Sequence, residues 1–293
     1  MPTPSRYRGR FAPSPTGPLH LGSLVAALGS WLIARRNGGD WLLRIEDIDP
    51  PREIAGAAIR QIETLKAFGL HSDEPVLWQS ARGDAYAVAL DRLLDAGHAF
   101  ECRCSRSDLV ADAGVHRGCV RTDTARQPAI RLRVADERVG FDDAIQGRFE
   151  LSAREQIGDF VLRRADSLWA YQLAVVVDDA AQGITQVVRG ADLLDSTPRQ
   201  ILLQRMLGLP TPAYAHLPVV VDASGHKLGK SSDALAVDPA DPFPALRAGL
   251  RALGQDPRCI AGVGNAEAAL SRALEHFDTG AIPRTATIAT SSA

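Results

Sequence analysis

Residues able to handle phosphate and carboxylate groups gather at two separated places in this chain. The first is "RFAPSPTGPLHLGSL", residues 10–24. A loop feeding a helix start offers unpaired backbone N–H groups and the positive end of the helix dipole, which suits an anion such as phosphate. Pro13 and Pro15 stiffen the loop. Gly17 lets it turn, and Gly22 permits a ligand to approach the helix start. His20 is placed to donate to phosphate oxygens. A proline-rich connection carrying a partly exposed histidine would read the same way.

The second place is "KLGKSS". Lys227 and Lys230 can set cations against a polyphosphate that gains charge during displacement at phosphorus. Lysine is scarce elsewhere: the 33 basic residues include only Lys66, Lys227 and Lys230. An exposed lysine hairpin is the competing reading. Both loops follow segments read as strands of one sheet, and ligands bind at strand carboxyl ends in open α/β folds.

A third group is "CRCSRSDLVADAGVHRGC". Cys102, Cys104, His116 and Cys119 supply four ligands suited to tetrahedral Zn²⁺, and with every position filled the site would be structural. Free buried cysteines are the alternative. Cys259 lies far away and reads as a small buried apolar residue. Residues 101–133 hold seven arginines against four acids. In a chain of net charge −2 this is where RNA contacts are expected, unless the arginines form a solvated face.

The elements that must hold these groups follow from hydrophobic periodicity. "RGRF" reads as a strand, and Leu21, Leu24, Val25, Leu28, Trp31 and Leu32 recur at helical spacing until Gly38. "WLLRI" reads as a strand buried on both faces, ending in Glu46, Asp47 and Asp49. Helical patterns follow at about 52–68 and 81–96. From His98 the texture turns to cysteines, glycines, arginines and short alternating segments. "YQLAVVVDD" and "ITQVVRGADLL" read as two strands returning to the sheet, and "STPRQILLQRML" as a helix. "LPVVVD" is a further strand. Two weak helices follow Asp241, and the closing "RTATIATSSA" is expected to be disordered.

The fold class is therefore α/β, a parallel sheet with a small inserted α/β domain. The expected divisions are 1–97 and 159–235 for two halves of a catalytic domain, 98–158 for a zinc-containing insertion, and 236–293 for a helical stub with a tail. The chain has 293 residues, 45% hydrophobic and 23% charged, ordinary for a globular protein. "MPTPSRYRGR" lacks the apolar core of a secretory signal, so a cytoplasmic protein without membrane contact is expected.

The quoted motifs carry a resemblance. "PSPTGPLHLGSL" resembles the HIGH signature of class I aminoacyl-tRNA synthetases, here His20-Leu21-Gly22-Ser23, and "KLGKS" resembles their KMSKS signature. "RFAPSPTG", "LLRIEDID", "YQLAVVVDD" and "VVRGADLL" narrow it to the glutamyl branch, over about residues 8–235. Ser23 replaces the second histidine, and Gly229 the first serine. Only some sixty residues follow KLGKS, too few for the anticodon-binding region of glutamyl-tRNA synthetases. A short glutamyl-type chain with a cysteine-rich insertion resembles the glutamyl-Q tRNA(Asp) synthetase family.

The resemblance implies a Rossmann-type catalytic domain and a monomer. It implies activation of L-glutamate by ATP and Mg²⁺ without tRNA, then transfer to queuosine at the wobble position of tRNA(Asp). His20, Lys227 and Lys230 would stabilise the phosphates, with Gly17, His20, Gly22 and Lys230 holding ATP. Glutamate has two carboxylates and an ammonium, so its pocket needs an arginine grip and an acid. Arg10 and Arg189 fit the carboxylates, Glu46 the ammonium and Tyr171 a further hydrogen bond, each near the end of an expected strand. Phe11, Ala12, Pro13 and Ser14 complete the pocket. Any one of these could instead form a surface salt bridge. The resemblance supports zinc at the cysteine group, although the family pattern has a tyrosine near position 116. A short glutamyl-tRNA synthetase charging a tRNA 3′ end, and an inactive RNA-binding paralogue, are the competing functions.

Overall fold

The computed structural model describes residues 6–121, 125–222 and 237–289. Strand β1 (Arg8–Phe11) leads through the proline loop into helix α1 (Leu21–Arg36), which returns to β2 (Asp40–Ile45). β1 and β2 pair in parallel from Arg8 opposite Asp40 to Phe11 opposite Leu43. β3 (Leu77–Trp78) extends this ladder on the far side of β2.

The second ladder runs, in spatial order, Gly147–Ser152, Arg138–Asp143, Ala213–Leu217 and Gln186–Gly190. β9 (Gln186–Gly190) and β10 (Ala213–Leu217) pair in parallel, as do β10 and β6 (Arg138–Asp143), while β7 (Gly147–Ser152) forms an antiparallel hairpin with β6. The two ladders meet where the Thr185 N–H donates to the Arg8 carbonyl at 2.9 Å. The carboxyl ends of β1, β2 and β9 thereby face one region.

Eleven of the sixteen residues of α1 are buried, so it is a central helix and not a half-exposed one. Its Gly29 permits close packing: a Cβ there would stand 2.6 Å from Leu217 Cδ1. Helices α6 (Pro242–Ala252) and α7 (Ala266–Glu275) add Leu246, Leu250 and Leu270 to the same core. A second core lies among α3 (Gly83–Asp95), α4 (Tyr171–Ala181), α5 (Thr197–Leu207) and the β6-β7 hairpin. The amphipathic α2 (Ala57–Ala67) buries Gln61 and Leu65. Among the described residues no helix is long and apolar enough to cross a membrane.

Two expectations are corrected. Residues 171–181 form a helix, not a strand. Eleven residues exceed the usual buried strand, and helical geometry puts Leu173, Ala174, Val175 and Val176 into the core while the buried Asp178 and Asp179 reach separate partners. Nor is the tail wholly irregular. β12 (Thr287–Ala289) pairs in parallel with β11 (Val219–Val221), and the Val219 N–H donates to the Ala286 carbonyl at 2.9 Å. The short β-branched run satisfies an otherwise open strand edge, and Ile288 packs on the core.

The cysteine-bearing region has its own antiparallel sheet of β4 (Ala99–Cys102), β5 (Ala129–Leu132) and β8 (Val161–Arg163). The pairings run across the expected division at 158: β8 closes this small sheet, whereas β6 and β7 belong with β10.

Candidate active site

A cleft of about 1180 Å³ opens at the carboxyl ends of β1, β2 and β9. It brings together all described residues expected to hold glutamate or nucleotide: Arg10, Phe11, Ala12, Pro13, Ser14, Gly17, His20, Gly22, Glu46, Tyr171 and Arg189. Lys227 and Lys230 lie outside the described residues. Cys104, Ser105, Arg106 and Arg131 also line the cleft, so the cysteine-bearing region forms part of its wall.

The loop between β1 and α1 is tied from two sides. The Glu46 N–H donates to the Pro13 carbonyl at 3.0 Å, and Gln61 Nε2 donates to the carbonyls of Ser14 (3.1 Å) and Gly17 (2.7 Å). Gly17, at φ +142°, makes the turn that residues with a Cβ resist. His20 is the N-cap of α1, its Nδ1 accepting from the Ser23 N–H at 3.2 Å. Its Nε2 lies 3.1 Å from the Ser23 hydroxyl. The histidine thus closes the helix end as well as facing the cleft.

Arg10 is only 3% exposed, and Asp179 grips it: Nε donates to Oδ1 at 3.0 Å and NH2 to Oδ2 at 3.3 Å. The Asp179 carboxylate also accepts from Arg44 NH1 at 2.8 Å. Burial raises its pKa, but the two guanidinium groups outweigh that and hold it below the ordinary carboxylate value. This leaves Arg10 NH1 without a hydrogen-bond partner among the described residues, while Arg10 lines the cleft. Asp179 and Arg44 were not singled out from sequence. The signal was there: an arginine inside the apolar run "WLLRI" needs a buried acid.

Glu46 differs from Asp179 in having weak cationic support. Its nearest ion-pair contact is Arg44 NH2 at 3.5 Å. Burial, only partly opposed by Arg44 and Arg10, raises its pKa above the ordinary carboxylate value. A desolvated acid of this kind gains from the arrival of an ammonium group.

Arg189 is fixed at one end. Its Nε donates to His216 Nε2 at 3.1 Å, NH2 to Thr197 Oγ1 at 2.7 Å and the Leu193 carbonyl at 3.4 Å, and NH1 to the Tyr171 hydroxyl at 3.3 Å. Tyr171 begins α4 and does not end a strand. Burial raises the pKa of its hydroxyl, which stays protonated and able to donate.

Cys102, Cys104, His116 and Cys119 place their ligand atoms within 4.8 Å of one another. His116 Nδ1 lies 2.9 Å from Asp159 Oδ2, so the carboxylate holds the ring with Nε2 toward the sulfurs. Burial raises the Cys104 thiol pKa, but backbone N–H groups of Val120 and Arg121 outweigh that and lower it. Three sulfurs, an oriented imidazole and partial burial fit a soft divalent metal. Among the nearby arginines, Arg131 is buried on the carbonyls of Asp159 and Cys104, and Arg121 and Arg126 face Asp108. The region is therefore less openly basic than its composition suggests.

Over residues 6–126 and 117–254 the chain matches the family "tRNA synthetases class I (E and Q), catalytic domain". The glutamyl-Q tRNA(Asp) synthetase of Xanthomonas oryzae pv. oryzae is 59% identical over 285 residues, 97% of this chain and 95% of the relative. That of Pseudomonas syringae pv. tomato is 51% identical over 286 residues, 96% of each chain. Among solved structures, a glutamate tRNA ligase from Elizabethkingia meningosepticum in complex with its amino acid is similar at a TM-score of 0.78 and 25% identity, covering 98% of this chain and 67% of that one. This chain belongs to the glutamyl-Q tRNA(Asp) synthetases, ligases of the class I aminoacyl-tRNA synthetase superfamily.

Proposed function

We propose that the chain activates L-glutamate with ATP in the absence of tRNA and transfers the glutamyl group to queuosine at the wobble position of tRNA(Asp). The observation that carries the glutamate assignment is the pairing, in one cleft, of a desolvated Glu46 with an Arg10 whose NH1 meets no hydrogen-bond acceptor among the described residues. Arg10 and Arg189 would take the carboxylates, Glu46 the ammonium, and the Tyr171 hydroxyl a carboxylate oxygen. Phe11, Ala12, Pro13 and Ser14 form the adjoining wall. The names of the relatives support queuosine as acceptor.

In the first step the glutamate α-carboxylate attacks the α-phosphorus and pyrophosphate leaves. A queuosine hydroxyl then attacks the acyl carbon, AMP leaves, and the hydroxyl proton is released. Gly17, Gly22 and the start of α1 would cradle the nucleotide. His20 would donate to its phosphates, and Lys227 and Lys230 would offset the developing charge. Magnesium arriving with ATP would supply further charge neutralisation. Zinc on Cys102, Cys104, His116 and Cys119 would be structural, since four protein ligands leave no open position.

Glutamate-dependent exchange of pyrophosphate into ATP without tRNA tests the first step, and its absence would refute tRNA-independent activation. Digestion and mass spectrometry of tRNA(Asp) after incubation with glutamate and ATP tests the second. Glutamate on queuosine is expected; glutamate on the 3′ adenosine would favour a shortened glutamyl-tRNA synthetase instead.

A further inference from the structure

The parallel neighbours β6, β10 and β9 carry Asp143, His216 and Arg189, and these three side chains form a buried chain ending at the cleft. Asp143 Oδ1 accepts the N–H groups of Ile145, Gln146 and His216, while Oδ2 lies 2.6 Å from His216 Nδ1. Burial raises the Asp143 pKa, but the hydrogen bonds from His216 and Gln146 outweigh that and bring it to about 2. Asp143 is therefore an anion and cannot donate, so the proton between the two groups sits on His216 Nδ1.

At its other nitrogen His216 meets Arg189 Nε, which is always a donor. A proton on His216 Nε2 would oppose that N–H. Burial, only partly countered by Asp143, lowers the His216 pKa and keeps the ring neutral. Only the Nδ1–H tautomer satisfies both contacts. The ring cannot turn away easily: it is 0% exposed, stacks on Tyr214 at 12° with centroids 6.2 Å apart, and touches Phe141.

We propose that His216 is a positioning residue for Arg189: Asp143 holds it as the Nδ1–H tautomer, and its Nε2 fixes the guanidinium so that NH1 faces Tyr171 and the ligand carboxylate. The consequence for binding rests on the glutamate role of Arg189 proposed above. Thr197 and the Leu193 carbonyl complete the grip through NH2. Three contacts on Nε and NH2 restrict the arginine to one orientation before ligand arrives, so binding does not have to order it.

The tautomer is tested directly by ¹⁵N NMR of the imidazoles of the full-length protein at pH 7, with His216 assigned by its disappearance in His216→Phe or, should that variant not fold, by its shift in Asp143→Asn. A protonated Nδ1 and an unprotonated, hydrogen-bonded Nε2 are expected. An Nε2–H tautomer or an imidazolium would overturn the proposal, whether or not the protein activates glutamate. Pyrophosphate exchange tests the consequence. His216→Phe and Asp143→Asn should each raise the KM for glutamate about tenfold while changing the KM for ATP and kcat less than twofold. In an Arg189→Lys background neither should raise it further. Unchanged glutamate KM in a folded variant, or full additivity with Arg189→Lys, would overturn it. Absence of exchange in the unaltered enzyme would count against the proposed function, and the NMR result would still decide the positioning role.

Discussion

Two carboxylates in the cleft show how surroundings decide the behaviour of one functional group. Asp179 lies between Arg10 and Arg44 and stays ionised, whereas the burial of Glu46 is only partly offset by Arg44 and Arg10, so Glu46 holds its proton to higher pH. If Glu46 receives the substrate ammonium, only its ionised form binds well. The KM for glutamate should then rise as pH falls, by about tenfold per unit once below the raised pKa. The onset should lie above the ordinary carboxylate value of 4.5. Glu46→Gln should raise the KM and flatten the profile; a wild-type KM constant from pH 8 down to 4.5 would contradict this role. Asp179 makes a different prediction. Asp179→Asn would leave two buried guanidinium groups with Glu46 as their remaining carboxylate partner and their shared close ion pair gone, at a cost of about 3 kcal/mol. Urea denaturation measures this loss. From sequence, the cleft residues were legible as chemical types in motifs, but the Asp179 and His216 supports were not. Their partners lie 169 and 73 residues away, beyond the reach of local patterns.

At the level of elements, local pattern located most of the structure but misjudged two segments for opposite reasons. "YQLAVVVDDAA" has the β-branched content of a strand, yet it folds as α4 because its two acids must each reach a buried partner, Arg10 for Asp179 and Tyr86 for Asp178. "TIA" near the end is too short to stand out, and becomes β12 only because β11 presents an edge to it. This pairing predicts that removing residues 284–293 costs stability. The Val219 N–H loses its acceptor and the three-residue register is gone. At roughly 1 kcal/mol for each lost hydrogen bond, a loss of about 2–3 kcal/mol is expected. The urea midpoint of the shortened chain measures it, and an unchanged midpoint would show that β12 contributes nothing. Gln146 adds to the expected loss, because its Nε2 links the carbonyls of His216 and Thr285.

Across the whole molecule, one cleft is built from regions that are remote in sequence and fold about different centres. One wall comes from the β1-α1 loop and the end of β9, on the large cores; another comes from Cys104, Ser105, Arg106 and Arg131, beside the cysteine cluster. That cluster has little apolar support, its own core comprising Cys102, Cys104 and Leu109 with Phe100 against them. A metal on the four ligands would hold what packing alone holds weakly. Removing a bound metal should release this wall while the large cores remain folded. A Zn²⁺-loaded preparation stripped with a strong chelator is expected to become sensitive to trypsin at Arg103, Arg106, Arg117, Arg121 or Arg126, and to regain protection when Zn²⁺ is restored. The far-ultraviolet circular dichroism should change little, because the α-helices lie outside the cluster, which holds only the short 3-10 turn Ser107–Asp112. His116→Ala should give the same cleavage without chelator, since it removes both a ligand and the anchor on Asp159. Equal trypsin resistance with and without metal would mean that the cluster does not brace the cleft.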